Sequence, residues 1–214
     1  MIRGGYRGCM QRLVVYAISI DDVRDIFRAP PELAEGLRTV AEERFAPPRP
    51  PRRTWFAPLM RRDPATEVDP SLPLRTDVDA LLAGAYIPPE RAAQSWRILS
   101  AWLEEMAAEH RSLPWDAEAF DRIEWDLARC GLNSDYSLRS LADRQLSVPL
   151  RPLPEQVVGY AKRVHAIEAL DEYRRVLANP ECAPESRGWL EPVAEVLEAV
   201  RENERLDVAV VGAD

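Results

Sequence analysis

The sequence predicts an α+β fold, mostly helical, with a small sheet formed from strands near both chain ends and helices packed on it. Three observations carry this. Residues 13–20 (Leu-Val-Val-Tyr-Ala-Ile-Ser-Ile) are β-branched and aromatic without Gly or Pro, and Asp21-Asp22 closes the run. A second run, Asp207-Val208-Ala209-Val210-Val211, stands near the far end. Between them, apolar residues recur mainly at spacings of three and four, interrupted by Pro-rich loops.

In chain order, residues 1–9 are Gly- and Arg-rich and read as a disordered lead-in, with Met10 an alternative start. Residues 10–214 read as one domain. After the first strand, Ser19 or Asp21 can cap a short helix over 22–27. Pro30-Pro31 opens a helix to about Arg44, with Leu33, Leu37, Val40 and Ala41 at helical spacing. Residues 47–73 are irregular and rich in Pro and Arg, and 47–53 read as polyproline II. A short helix over 77–83 ends at Gly84. The strongest helix runs from Pro88-Pro89 to about Arg111, placing Ala92, Trp96, Leu99, Leu103, Met106 and His110 on one stripe. Trp102 lies off that stripe, where it could meet a second layer.

Asp116 caps the next helix, which turns Phe120, Ile123 and Leu127 inward and stops at Gly131. A short helix is expected over 137–144. Residues 146–150 read as a third strand, which Pro149 restricts to an edge. Pro154 opens a long helix to about Leu177, with Val157 and Tyr160 on its inner face. The last helix, 184–205, carries Glu191, Glu195, Glu198 and Glu202 on its outer side. The final strand then pairs with the first.

Composition bounds the function. With 214 residues and 46% hydrophobic content, the chain can bury a full core without a disulfide or metal staple. Its net charge of −8 argues against nucleic acid and anionic membranes as partners. Only Lys162 among 28 basic residues is a lysine, which with 19 Pro matches the codon bias of a GC-rich bacterial genome. Cys9, Cys130 and Cys182 are too scattered for a zinc site and suggest reduced thiols in a cytoplasm. No apolar run reaches transmembrane length. The Arg-flanked 13–20 run resembles a signal peptide but is only eight residues long and lacks a cleavage site.

The motifs for chemistry are sparse, and no cofactor or metal is expected. His110 beside Glu109, and His165 near Glu168, are the candidates for acid–base catalysis. The plainer reading places His110 at a helix C-terminus and His165 at a core edge. The sharpest motif is Pro48-Arg49-Pro50-Pro51-Arg52-Arg53, which fits the Pro-x-x-Pro-x-Arg pattern of polyproline ligands. Arg49, Arg52, Arg53, Arg61 and Arg62, with Trp55 and Phe56 between, could also bind phosphate or single-stranded nucleic acid by charge and stacking. The plainer reading is a solvated connector. Six Trp exceed what composition predicts.

Three segments resemble the YfbM-like domains of unknown function and related bacterial proteins. They are residues 13–27; Cys130-Gly131-Leu132 with Ser137-Leu138-Arg139-Ser140-Leu141 and Val148-Pro149-Leu150-Arg151-Pro152-Leu153-Pro154; and Trp189-Leu190 with the final strand. The resemblance implies an α+β fold and brings no activity or site residues.

The function expected from all this is a non-enzymatic cytoplasmic protein that recognises a protein partner through an acidic helical face or exposed aromatics, as an immunity or antitoxin-like protein does. Two alternatives stand beside it. One is a small hydrolase or transferase using a His/Glu pair in a pocket. The other is phosphate or nucleic-acid binding through the Arg/Trp loop.

Overall fold

The first strand, β1 (Arg12–Ile18), is an interior strand of a four-stranded antiparallel sheet. The computed structural model describes residues 12–46 and 71–213. In the sheet order, β1 lies between β2 (Glu109–Pro114) and β4 (Asp207–Ala213), and β3 (Val158–Ala161) forms the far edge. The predicted pairing of the chain ends is present: Arg12 faces Ala213 and Ile18 faces Asp207.

Both faces of the sheet are covered, which explains why β1 and β4 read as almost continuous apolar runs rather than as alternating ones. Leu13, Val15 and Ala17, with Val208 and Val210, join one core cluster. Val14, Tyr16 and Ile18, with Ala209 and Val211, join the other. The first cluster is closed by α5 (Ala117–Arg129), α6 (Arg163–Leu177) and α7 (Pro184–Glu202). The second is closed by α1 (Ile20–Asp25), α2 (Pro31–Phe45), α3 (Arg75–Leu82) and α4 (Ala92–Met106).

Local chemistry sets most boundaries. Ser19 Oγ accepts the Asp22 amide at 3.2 Å and caps α1. Asp116 Oδ1 accepts the Ala119 amide at 2.7 Å and caps α5. Gly131, at φ +96°, ends that helix in the left-handed conformation that costs glycine little. Trp102 does reach the second layer: its indole N–H donates to the Leu37 carbonyl at 2.7 Å, tying α4 to α2. Buried Asp77 accepts Arg91 Nε at 3.0 Å and the Leu74 amide at 2.8 Å, fixing the entry into α3.

Several sequence expectations are corrected. The helix predicted to run to Arg111 ends at Met106. Ala107 is extended, and the Ala108 amide donates to the Ala17 carbonyl at 3.0 Å, drawing the chain into the sheet. His110 is therefore on β2 and not on a helix. The helix predicted from Pro154 begins only at Arg163, because Val158–Ala161 is the edge strand β3. The strand expected over 146–150 is absent; the outer edge of β3 meets only a bridge between Tyr160 and Arg144. Residues 137–144 hold no α-helix but a 3-10 turn, Arg139–Ala142, preceded by another at Ser134–Tyr136. The last helix stops at Glu202 because Asn203 is already extended. The lead-in at 1–9, the polyproline reading of 47–53 and Cys9 lie outside the described residues.

Candidate functional site

The two imidazoles lie on opposite sides of the sheet. His110 stands directly across from Tyr16 on β1 and shares its face, with ring centroids 6.0 Å apart. His165 is on α6, which covers the other face. Neither ring has a carboxylate partner among the described hydrogen bonds. Glu109 instead accepts from Arg111 and, at 2.9 Å, from the His110 backbone amide. Glu168 accepts from the Tyr136 hydroxyl at 3.2 Å.

His165 does contact a hydroxyl: its Nε2 lies 3.1 Å from Ser140 Oγ, and its ring centroid lies 5.3 Å from that of Tyr136. The direction of that bond decides its meaning. Ser140 Oγ also lies 2.7 Å from the Ser137 carbonyl, which can only accept. The single hydroxyl proton therefore goes to Ser137, and Ser140 accepts from His165 Nε2–H. A nucleophile and its base need the opposite polarity, with imidazole nitrogen accepting from hydroxyl. The Ser140–His165 contact thus secures the turn before β3 to α6.

Beneath this turn lie two polar side chains that the sequence did not reveal, half-buried Glu124 and fully buried Tyr173. Burial raises the Glu124 carboxyl above its ordinary value, against the lowering effect of the Leu138 and Arg139 amides and the Arg139 guanidinium. Its Oε1 and the Tyr173 hydroxyl both lack a hydrogen-bond partner among the described residues. Burial and the Glu124 charge push the Tyr173 phenol well above its ordinary value.

A different place gathers cationic groups. A cavity of about 170 Å³ lies where the start of β1, the end of α2, one face of α4 and the 153–156 loop converge. Arg12, Arg44 and Arg97 line it, together with Phe45, Trp96 and Ser100. Arg44 is neutralised by Glu104, 2.8 Å away. Arg97 donates to the Ser71 carbonyl at 3.1 Å and stacks its guanidinium 5.7 Å from the Phe45 ring centre. Arg12 has no ion pair among the described residues.

The walls are fixed by hydrogen bonds. Trp96 Nε1 donates to the Arg151 carbonyl at 2.8 Å. Gln156 accepts the Leu153 amide at 2.9 Å and donates to the Gly212 carbonyl at 2.6 Å, joining the loop to β4. On the same strand face as Arg12 stands the buried Tyr16. Burial and the Glu104 charge raise its phenol far above the ordinary value, while Arg12 and Ser100 act in the opposite sense. Sequence reading missed this site because no local motif marks it. Its members come from five separate segments, and each looks like an ordinary surface or stripe residue.

A second cavity of about 300 Å³ between α2 and α3 is mainly apolar, walled by Ala41, Phe45, Leu74 and Val78. Neither histidine lines either cavity. The predicted binding residues Arg49, Arg52, Arg53, Trp55, Phe56, Arg61 and Arg62 lie outside the described residues. Among the described residues there is no group of three or more His, Cys, Asp or Glu side chains placed to hold a metal ion, and no helix long and apolar enough to cross a membrane.

On the surface, Tyr86 and Trp125 are 74% and 68% exposed. The Glu row of α7 is partly neutralised internally. Glu195 pairs with Arg111 at 2.7 Å, and Glu198 pairs with Arg174 and Arg201. Comparison with protein-family models, with curated proteins and with solved structures finds no match for this chain.

Proposed function

We propose that the chain is a non-enzymatic binding protein that recognises a protein partner, and that the Arg12 cavity receives an acidic group of that partner. The observation that carries this is the Arg12 guanidinium, which has no ion pair among the described residues and lines the same cavity as Arg97, in a chain of net charge −8. A guanidinium presents a fork of donors matched to a carboxylate, and apolar walls strengthen that pairing by excluding water. The cavity, at about 170 Å³, falls below the roughly 300–1,000 Å³ usual for small-molecule pockets. It suits one side chain or a chain terminus better than a whole metabolite.

The exposed Trp125 and Tyr86 support the same reading, since large aromatics favour interfaces. The α7 carboxylates support it less than their sequence suggests, because Glu195 and Glu198 already hold arginines. The hydrolase or transferase alternative draws no support from the Ser140–His165 contact, whose proton runs the wrong way.

Affinity capture from the native host with the wild-type chain, Arg12→Gln and Arg97→Gln tests the proposal. A protein held by the wild type and lost with Arg12→Gln is the expected result. Capture that is unchanged by both substitutions, or a cavity that takes inorganic phosphate in titration calorimetry while no protein is captured, overturns it.

A further inference from the structure

The last turn of α5 and the connection between α6 and α7 meet at two cysteines. Cys130 follows α5 directly and is half-buried; Cys182 lies in the α6–α7 connection and is buried. One residue joins their backbones. The Asn179 side chain donates to the Cys130 carbonyl at 3.3 Å, and the Asn179 carbonyl accepts the Cys182 amide at 3.2 Å. Both side chains belong to the same apolar cluster. The Cys130 side chain is also near enough to the Cys182 thiol to raise it, after burial. Arg187 clamps the connection by donating to the carbonyls of Leu177, Asn179 and Cys182.

We propose that Cys130 and Cys182 form a peroxide-sensitive thiol pair that closes to a disulfide across the α5/α6–α7 junction. Their placement assigns the two roles. Cys130 is the accessible member and meets the oxidant. Cys182 is shielded, and burial followed by the influence of Cys130 pushes its thiol up to about 11, which suits it to the second, resolving role.

In the first step the Cys130 thiolate attacks one oxygen of hydrogen peroxide. The O–O bond breaks, the sulfur becomes a sulfenic acid, and the leaving hydroxide takes a proton and departs as water. In the second step Cys182 sulfur attacks Cys130 sulfur. The S–S bond forms, the S–O bond breaks, and the hydroxide leaves as water with the Cys182 proton. Two thiols lose two electrons in all, and one peroxide gains them, giving two waters.

Oxidation of the full chain with hydrogen peroxide, followed by alkylation, proteolysis and mass spectrometry, tests this. The expected product is a Cys130–Cys182 cross-linked peptide, two hydrogens lighter than its parts and cleaved by dithiothreitol. The oxidised protein should melt roughly 5 °C or more above the reduced one, because the cross-link closes a long loop. In Cys182→Ser the cross-link should vanish and dimedone should trap Cys130 as its sulfenic acid. Recovery of Cys130 and Cys182 in separate peptides from oxidised wild type, or of Cys130 linked to Cys9 instead, overturns the proposal. The wild-type mapping stands even if the variant fails to fold.

Discussion

Asp207, the first residue of β4, holds the first turn of α6 with both carboxylate oxygens. Its Oδ1 accepts the Arg163 amide at 2.8 Å, and its Oδ2 lies 2.9 Å from Lys162 Nζ. Lys162 occupies the N-cap position of α6 but makes no side-chain cap itself, so a strand residue distant in sequence performs that task. Asp207→Ala should destabilise the fold by about 1–3 kcal/mol, since a buried helix-terminal amide loses its acceptor. Lys162→Met should cost under ~1 kcal/mol, because the partly exposed ammonium is screened by solvent. Urea denaturation of both variants checks the order; equal losses would contradict it.

Gly159 in β3 should tolerate no side chain. A Cβ built there would stand 2.0 Å from the Ala142 carbonyl oxygen, and the atoms it meets are Ala142 backbone rather than a flexible side chain that could yield. Gly159→Ala should cost roughly 3 kcal/mol or more. Gly36→Ala, where a Cβ would meet nothing within 4 Å, should be neutral or slightly stabilising as a helix substitution. Thermal melts of the two proteins should therefore diverge sharply.

Glu124 makes stability depend on pH in a stated direction. Its carboxyl is raised in the folded protein by burial above the ordinary 4.5. The folded state therefore binds a proton more readily than the unfolded chain, and stability falls as pH rises through the interval between those two values. Below that interval the group is neutral in both states and adds no burden. Glu124→Gln should match the wild type near pH 3–4 and melt higher at pH 7. A variant that melts lower than the wild type at pH 7 would show that the charge is needed there.

Much of this fold is legible in the sequence where both faces of an element agree. β1 is apolar on both sides because helices cover both faces, and α5 announces itself through Asp116, Phe120, Ile123, Leu127 and Gly131. The two edge strands are not legible, for opposite reasons. β2 (Glu-His-Arg-Ser-Leu-Pro) is too polar to look like a strand, and its order comes from pairing with β1. β3 has only four residues and precedes a helix at once, so Val157 and Tyr160 merge with the helical periodicity of α6. Residues 146–150 mislead in the other direction: Leu146 and Leu150 are buried, yet the pairing on the outer edge of β3 stops at the bridge between Arg144 and Tyr160.

The site was harder still. His110 and His165 stood out by residue type, but burial and hydrogen-bond direction, which decide what an imidazole can do, are properties of the assembled chain. Arg12 looked like one more arginine before a strand. Only the arrival of Gly212, Gln156 and α4 around it makes a cavity.

The sheet order has a consequence for how the protein is made. Of the four described strands β4 is made last, yet it is the wall against which β1 and β3 both lie and which the two cores share. Until residues 207–213 are in place, β3 has no strand partner and β1 has one open edge. The contacts that complete the sheet span nearly the whole described chain, a topology that slows folding. The growing chain must therefore carry unpaired strand edges until residues 207–213 are made, and until then those edges are open to aggregation.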